Sequence, residues 1–178
     1  VYVATPGDLV ACTAQGSTVV VSAPVGATFS GLALAGGQAW LATGAGLLAL
    51  DLEKGTWLAP RTAASGDLPD DDVRAVAADG TRVVAGCATG VSVFDPAAPG
   101  VRILVPGKGS LPAASVRSIA VLGDAILAAH DRGATLFDPD LATLHHYVSQ
   151  RYVPDDVVVA VDLAPQGPAW LATAKGAA

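Results

Sequence analysis

Apolar residues run along this chain in bursts of four to seven, such as VYVA, LVAC, LALA, AWLA, LLAL and RVVAG, each cut off by Gly, Pro or Asp. Bursts of that length between turn formers predict buried β-strands, and no ten-residue stretch holds the i, i+3, i+4 spacing of an amphipathic helix. The expectation is an all-β protein.

The bursts recur in a fixed order. AWLATGAG begins at residue 39 and returns as AWLATAKG at residue 169. Aligning on the closing glycine gives Gly46, Gly90, Gly133 and Gly176, spaced by 44, 43 and 43. Each unit opens with LP or VP and polar residues: LPDDDV at Leu68, LPAASV at Leu111, VPDDVV at Val153. An apolar run follows (VRAVAAD, VRSIAVL, VVVAVDL, and FSGLALA in the first full unit). After a Gly turn come AWLAT, RVVAG, AILAA and AWLAT again, then GLLALD, GVSVFDP and GATLFDP, closed by Asp51, Asp95 and Asp138. A weaker fourth run (TWLA, VRILV, LHHYV) completes the unit, and YVATPGDLVAC at the N-terminus lies over WLATGAGLLAL with Tyr2 on Trp40.

Four short strands in about 43 residues make the size of one β-propeller blade. The chain therefore reads as a single β-propeller domain over 1–178, with units at approximately 1–27 (partial), 28–67, 68–110, 111–152 and 153–178 (partial). The N-terminus supplies strands two to four of a unit and the C-terminus strands one and two. Three closures stay open: four blades with the ends merged, five whole or partial blades, or an arc of a larger ring. A blade cannot bury both faces alone, so neighbours must stack on it. The second-strand residues Trp40, Val84, Leu127 and Trp170 are the expected inter-blade wedges.

The pattern LPxxxVxxIxxD–G–x–hWhAT–xxG–hxxhD resembles the two-component regulator propeller repeat, found in the extracytoplasmic sensor half of bacterial hybrid histidine kinases and in other large surface or secreted proteins. The resemblance spans nearly the whole chain. It departs where the family's frequent Asn in the LP motif is Asp71 or Ala114, and where two units lack the second-strand aromatic. It implies a bacterial, periplasmic or extracellular sensor or binding module.

Composition narrows the function classes. Half the chain is apolar (52%) with 15% charged residues and a mean hydropathy of +0.50, yet no apolar run reaches the roughly 20 residues of a spanning helix. Net charge is −6 with no basic cluster, which argues against nucleic-acid binding, since phosphate contacts need concentrated Lys and Arg. The chain contains no Met and opens directly in a strand pattern without a signal peptide, so it reads as a piece or processed form of a longer protein. Cys12 and Cys87, both inside strand patterns, are expected to be buried free thiols. Asn is absent, so no glycosylation sequon exists.

In a propeller the first strand lines the central channel, and the fourth-to-first and second-to-third loops share one face. That geometry gathers Asp70, Asp71, Asp72, Asp155 and Asp156 from the LP loops, His130, Asp131, Arg132 and Lys175 from the Gly turns, and Arg74 and Arg117 at the head of the channel strand. The functional expectation is a site for a small polar ligand or protein on this rim, with no cofactor. A cation at the Asp cluster is a variant of it. The plainer expectation is that Asp after Pro caps a turn and that Arg74 pairs with Asp72. His145 and His146 lie on an outer strand, one outward and one inward, with no third ligand at metal-binding spacing. His130 occupies the place of Thr43, Cys87 and Thr173, without a nucleophile motif beside it. GAGLLA at Gly44 and PGKGS at Pro106 imitate phosphate-binding loops, but the first leads into a strand and the second lacks a glycine at the required spacing. The leading expectation is a non-enzymatic sensor or scaffold, with self-association through open terminal strands as a further partner mode. Its rival is an accessory or catalytic propeller of a larger lyase or hydrolase.

Overall fold

A computed structural model of the protein describes residues 1–107, 110–148, 151–165 and 168–177. The chain folds into five antiparallel sheets, each a simple meander. The first holds β1 (Tyr2–Ala4), β2 (Asp8–Thr13) and β3 (Gly16–Ser22). The second holds β4 (Gly31–Ala35), β5 (Gln38–Thr43), β6 (Gly46–Asp51) and β7 (Thr56–Trp57). The third comprises β8 (Val73–Ala78), β9 (Val83–Cys87), β10 (Gly90–Phe94) and β11 (Val101–Leu104). The fourth comprises β12 (Ser118–Leu122), β13 (Ala125–His130), β14 (Gly133–Phe137) and β15 (Thr143–Tyr147). The fifth has β16 (Val158–Leu163), β17 (Ala169–Thr173) and β18 (Gly176–Ala177). This is the architecture of propeller blades.

The second-to-third turns show why the strands reverse where they do. Thr13, Thr43 and Thr173 each accept the N–H of the residue two ahead, and each hydroxyl donates to the carbonyl of the glycine three ahead. The side chain thus satisfies both polar backbone groups that the reversal frees. Gly133, at φ +115°, could not carry a side chain: a Cβ there would overlap the carbonyl of Tyr147 on the neighbouring strand.

Sheets stack in chain order. The innermost strands β4, β8, β12 and β16 lie against one another in sequence, as strands around a hub do. Ser30 donates to the carbonyl of Val73, and Ser118 accepts the N–H of Val161, in each case one repeat of 43 residues later. Apolar side chains fill each interface. Trp40, Ala42, Leu47 and Ala49 of the second sheet meet Val83, Ala85, Cys87 and Phe94 of the third. Val84 and Val91 meet Ile126, Ala128 and Phe137. Leu127 and Ala129 meet Val158 and Leu171, while Tyr2 and Leu9 meet Leu41 and Leu50. The hydrophobe opening each LP motif plugs one interface: Leu68 the second–third, Leu111 the third–fourth, Val153 the fourth–fifth.

The ends correct two expectations. The last sheet carries the beginning of a third strand, β18, besides the two foreseen. Trp40, Val84 and Leu127 are buried between sheets, but Trp170 is 54% exposed against 3% for Trp40. Trp170 has the register of Trp40, yet no described sheet packs on its face. Val3 and Val19, on the free side of the first sheet, are likewise exposed. Among the described residues no hydrogen bond joins the first sheet to the last. Cys87 is buried as expected, whereas Cys12 is only half-buried because it belongs to this open first sheet; both are free thiols. Among the described residues no helix is long and apolar enough to cross a membrane.

Candidate functional site: the loop rim

The LP loops and the second-to-third turns come together at one end of the sheets and bond directly. Gly46 donates its N–H to the carbonyl of Asp71 at 2.7 Å, and Ala88 donates to that of Asp72 at 2.9 Å. Ser115, in the next LP loop, donates to the carbonyl of Ala88 at 2.7 Å. From the second sheet to the LP loop before the fourth, the rim is therefore a backbone-bonded band.

Its acidic residues are engaged locally. Asp70 accepts the N–H of Asp72 at 2.8 Å, and Asp71 accepts that of Ala63 at 2.7 Å, so both cap turns. Asp72 takes two donors from Arg74, at 2.9 and 2.7 Å, and the same guanidinium reaches Ser115 at 2.6 Å across to the following loop. Arg117 pairs with Asp131 at 2.7 Å and Lys175 with Asp155 at 3.6 Å. Asp156 is exposed. The structure thus spreads these residues as separate pairs along the rim and does not draw them into one pocket. No group of three or more His, Cys, Asp or Glu side chains is placed to hold a metal ion among the described residues.

His130 differs from its expected place on the rim surface: its side chain is fully buried, and the turn explains why. Its Nδ1 accepts the N–H of Arg132 at 3.2 Å, the bond that Thr43 and Thr173 make to the second residue of their turns. The larger ring then extends into the sheet, where Nε2 lies 2.8 Å from Thr135 Oγ1. Burial, reinforced by the charge of nearby His146, lowers its pKa to about 4, so it is neutral at pH 7. Thr135 stands directly opposite His146 in the sheet, and its hydroxyl is 3.0 Å from His146 Nδ1. His145, on the other face, packs its ring on Tyr147 and Tyr152. Sequence reading had separated the two faces of this strand, but it missed the His130–Thr135–His146 row.

Two further features lay outside the sequence reading. The Arg61 guanidinium stacks 3.9 Å from the centre of the Phe94 ring and pairs with Asp67 at 2.9 Å. Arg82 crosses to the next sheet and donates to the Gly123 carbonyl at 2.6 Å. Of the two phosphate-loop imitations, the glycines at 44–46 lead into β6 as expected, while Lys108 and Gly109 of PGKGS lie outside the described residues.

No protein-family model matches the chain, and no curated protein sequence aligns with it. Solved structures do resemble it in shape. Sqt1 of Saccharomyces cerevisiae superposes with a TM-score of 0.73 at 15% identity, over 98% of this chain and 52% of that one. The WD40 domain of Neurospora crassa Pan2 gives 0.63 at 13%, over 93% and 53%. The extracellular domain of the B. thetaiotaomicron hybrid two-component system BT4673 gives 0.55 at 14%, over 99% and 30%. The chain spans about half the length of the first two and under a third of the last. At these identities the likeness is one of fold: the chain is built of β-propeller blades.

Proposed function

We propose that this chain is a non-enzymatic binding module of a bacterial extracytoplasmic protein, sensory or scaffolding in role, that presents its loop rim to a small ligand or a protein. The observation that carries this reading is the rim's charge arrangement. Arg74–Asp72 and Arg117–Asp131 are paired across short distances, with roughly two-fifths of each side chain exposed. Acid–base catalysis needs titratable groups converging on a reacting atom in a water-poor pocket. A band of solvated, mutually neutralised pairs suits reversible polar recognition better, and propellers commonly recognise partners on such faces. The resemblance to the two-component regulator propeller, together with the shape likeness to the extracellular domain of a hybrid two-component system, favours the sensory role and the extracytoplasmic setting.

The test is a thermal-shift screen of polar small molecules, followed by calorimetry on hits, with Asp72→Lys and Asp131→Lys as rim variants. Saturable binding that the rim variants weaken supports the reading. Turnover of ester, glycoside or uronate substrates by the wild type, lost in Asp131→Asn, would replace it with a catalytic propeller.

The open terminal sheets favour an additional partner mode. In every interior interface the wedge face of one sheet meets the opposite face of the next. Trp170 displays an uncovered wedge face, and Val3 and Val19 an uncovered opposite face. Copies of the chain would therefore associate head to tail. Native mass spectrometry tests this: a defined oligomer abolished by Trp170→Asp supports it, and a monomer at micromolar concentration removes it.

A further inference from the structure

Arg132 and His146 line one cavity at the edge of the rim, about 280 Å³ in volume, walled also by Gly107, Ser110, Pro112 and Val148. A hydrogen-bond row stands behind it. The backbone N–H of Arg132 can only donate, so His130 Nδ1 is an acceptor. Neutral His130 then carries its proton on Nε2 and donates to Thr135 Oγ1, which lies 3.0 Å from His146 Nδ1. His146 Nε2 is the ring nitrogen of this row without a hydrogen-bond partner among the described residues. Ser110 spends its hydroxyl hydrogen on the carbonyls of Val105, at 2.8 Å, and Gly107.

The charge pattern points the same way. Of the described lysines and arginines, all but Arg132 and Arg151 lie within 3.6 Å of a carboxylate. Arg151 sits over the ring of Tyr152. Arg132 alone has neither a carboxylate nor an aromatic partner among the described residues, in a chain whose acids outnumber its bases by 16 to 10. Among the described residues no carboxylate lines the cavity.

We propose that this cavity binds a compact oxyanion, the carboxylate or phosphate group of a small ligand. The Arg132 guanidinium would neutralise it and the His146 Nε2–H would orient it. Guanidinium suits both groups because its planar fork matches two oxygens at once. A proton on the His146 ring nitrogen that faces the cavity gives the contact direction. This inference rests on the binding-module reading and names the ligand chemistry for one part of the same rim.

The experiment titrates sodium phosphate and sodium acetate separately into the protein at pH 7.5 and constant ionic strength. Imidazole ¹⁵N NMR follows His146, and calorimetry gives the affinity. We expect a saturable shift at His146 Nε2. Arg132→Ala should weaken binding by about 10- to 100-fold, as loss of a hydrogen bond to a charged group does. The ratio of phosphate to acetate affinity tells which oxyanion the cavity prefers. Lys54→Gln, at the β6–β7 turn and outside the rim, should leave the affinity unchanged. Shifts that never saturate, an unaffected Arg132→Ala, or equal loss in Lys54→Gln would overturn the inference. Failure of both anions, with another ligand held at the rim, would leave the binding-module reading standing. Saturable phosphate binding accompanied by turnover would do the reverse.

Discussion

Trp40 and Trp170 offer a controlled comparison, because one residue type stands at one register in two sheets and differs only in what covers it. An aromatic side chain buries about 150–250 Å². Trp40 keeps 3% of its exposure, so nearly all of that area leaves water, giving about 5 kcal/mol at about 25 cal/mol/Å². Its ring also stands edge-on to Phe94 at 5.1 Å, and truncation would leave a cavity between two packed sheets. Trp170 is 54% exposed, which leaves about 2 kcal/mol of transfer energy and no cavity to open. Trp40→Ala should therefore cost about 4 kcal/mol and Trp170→Ala about 2 kcal/mol or less. Urea unfolding followed by circular dichroism measures both, at concentrations low enough to keep the chain monomeric. Equal losses, or a larger one for Trp170→Ala in the monomer, would refute the account of stacking.

Three further outcomes follow from the turns and buried groups. His130 has a folded-state pKa of about 4 against an ordinary 6.5, so the unfolded chain binds the extra proton and stability falls with acidity through that window. The gap is worth about 3 kcal/mol between pH 7 and pH 4. His130→Thr, which restores the turn of Thr43, should lose that much less stability over the same range, and identical pH profiles would contradict the assignment. Burial pushes the Cys87 thiol up to about 12, while Cys12 is half-exposed. Native alkylation at pH 8 should label one thiol per chain and denatured alkylation two; two labelled natively would be inconsistent with the third sheet's packing. Gly133→Ala meets both a positive φ and the Tyr147 carbonyl, whereas Gly80, also at positive φ, has open space around it. The first should cost at least about 2 kcal/mol and the second about 1 kcal/mol, measured by the same unfolding experiment.

The sequence was most legible where local pattern decides the outcome. Period and strand order follow from the spacing of apolar residues and turn formers, because each blade repeats one solution to burying two faces. Asp72–Arg74 is two residues apart and was equally readable. Burial of the second-strand tryptophan was not, since AWLAT is the same at 39 and 169 and only the adjoining sheet decides its exposure. The His130–Thr135–His146 row depends on cross-strand register, including a bulge at Leu136/Phe137. The usable signal was a histidine standing where other units carry the turn threonine. Arg61 reaches Phe94 from the long loop between β7 and β8, and no periodicity describes such a loop.

The central claim is that each wedge contacts the next sheet one repeat later, and nuclear Overhauser contacts test it most directly. The account predicts cross-peaks between the Trp40 indole and the Phe94 ring, and between Gly86 Hα and the Val116 methyls, each pair in different units. Contacts from Trp40 confined to its own sheet would contradict it.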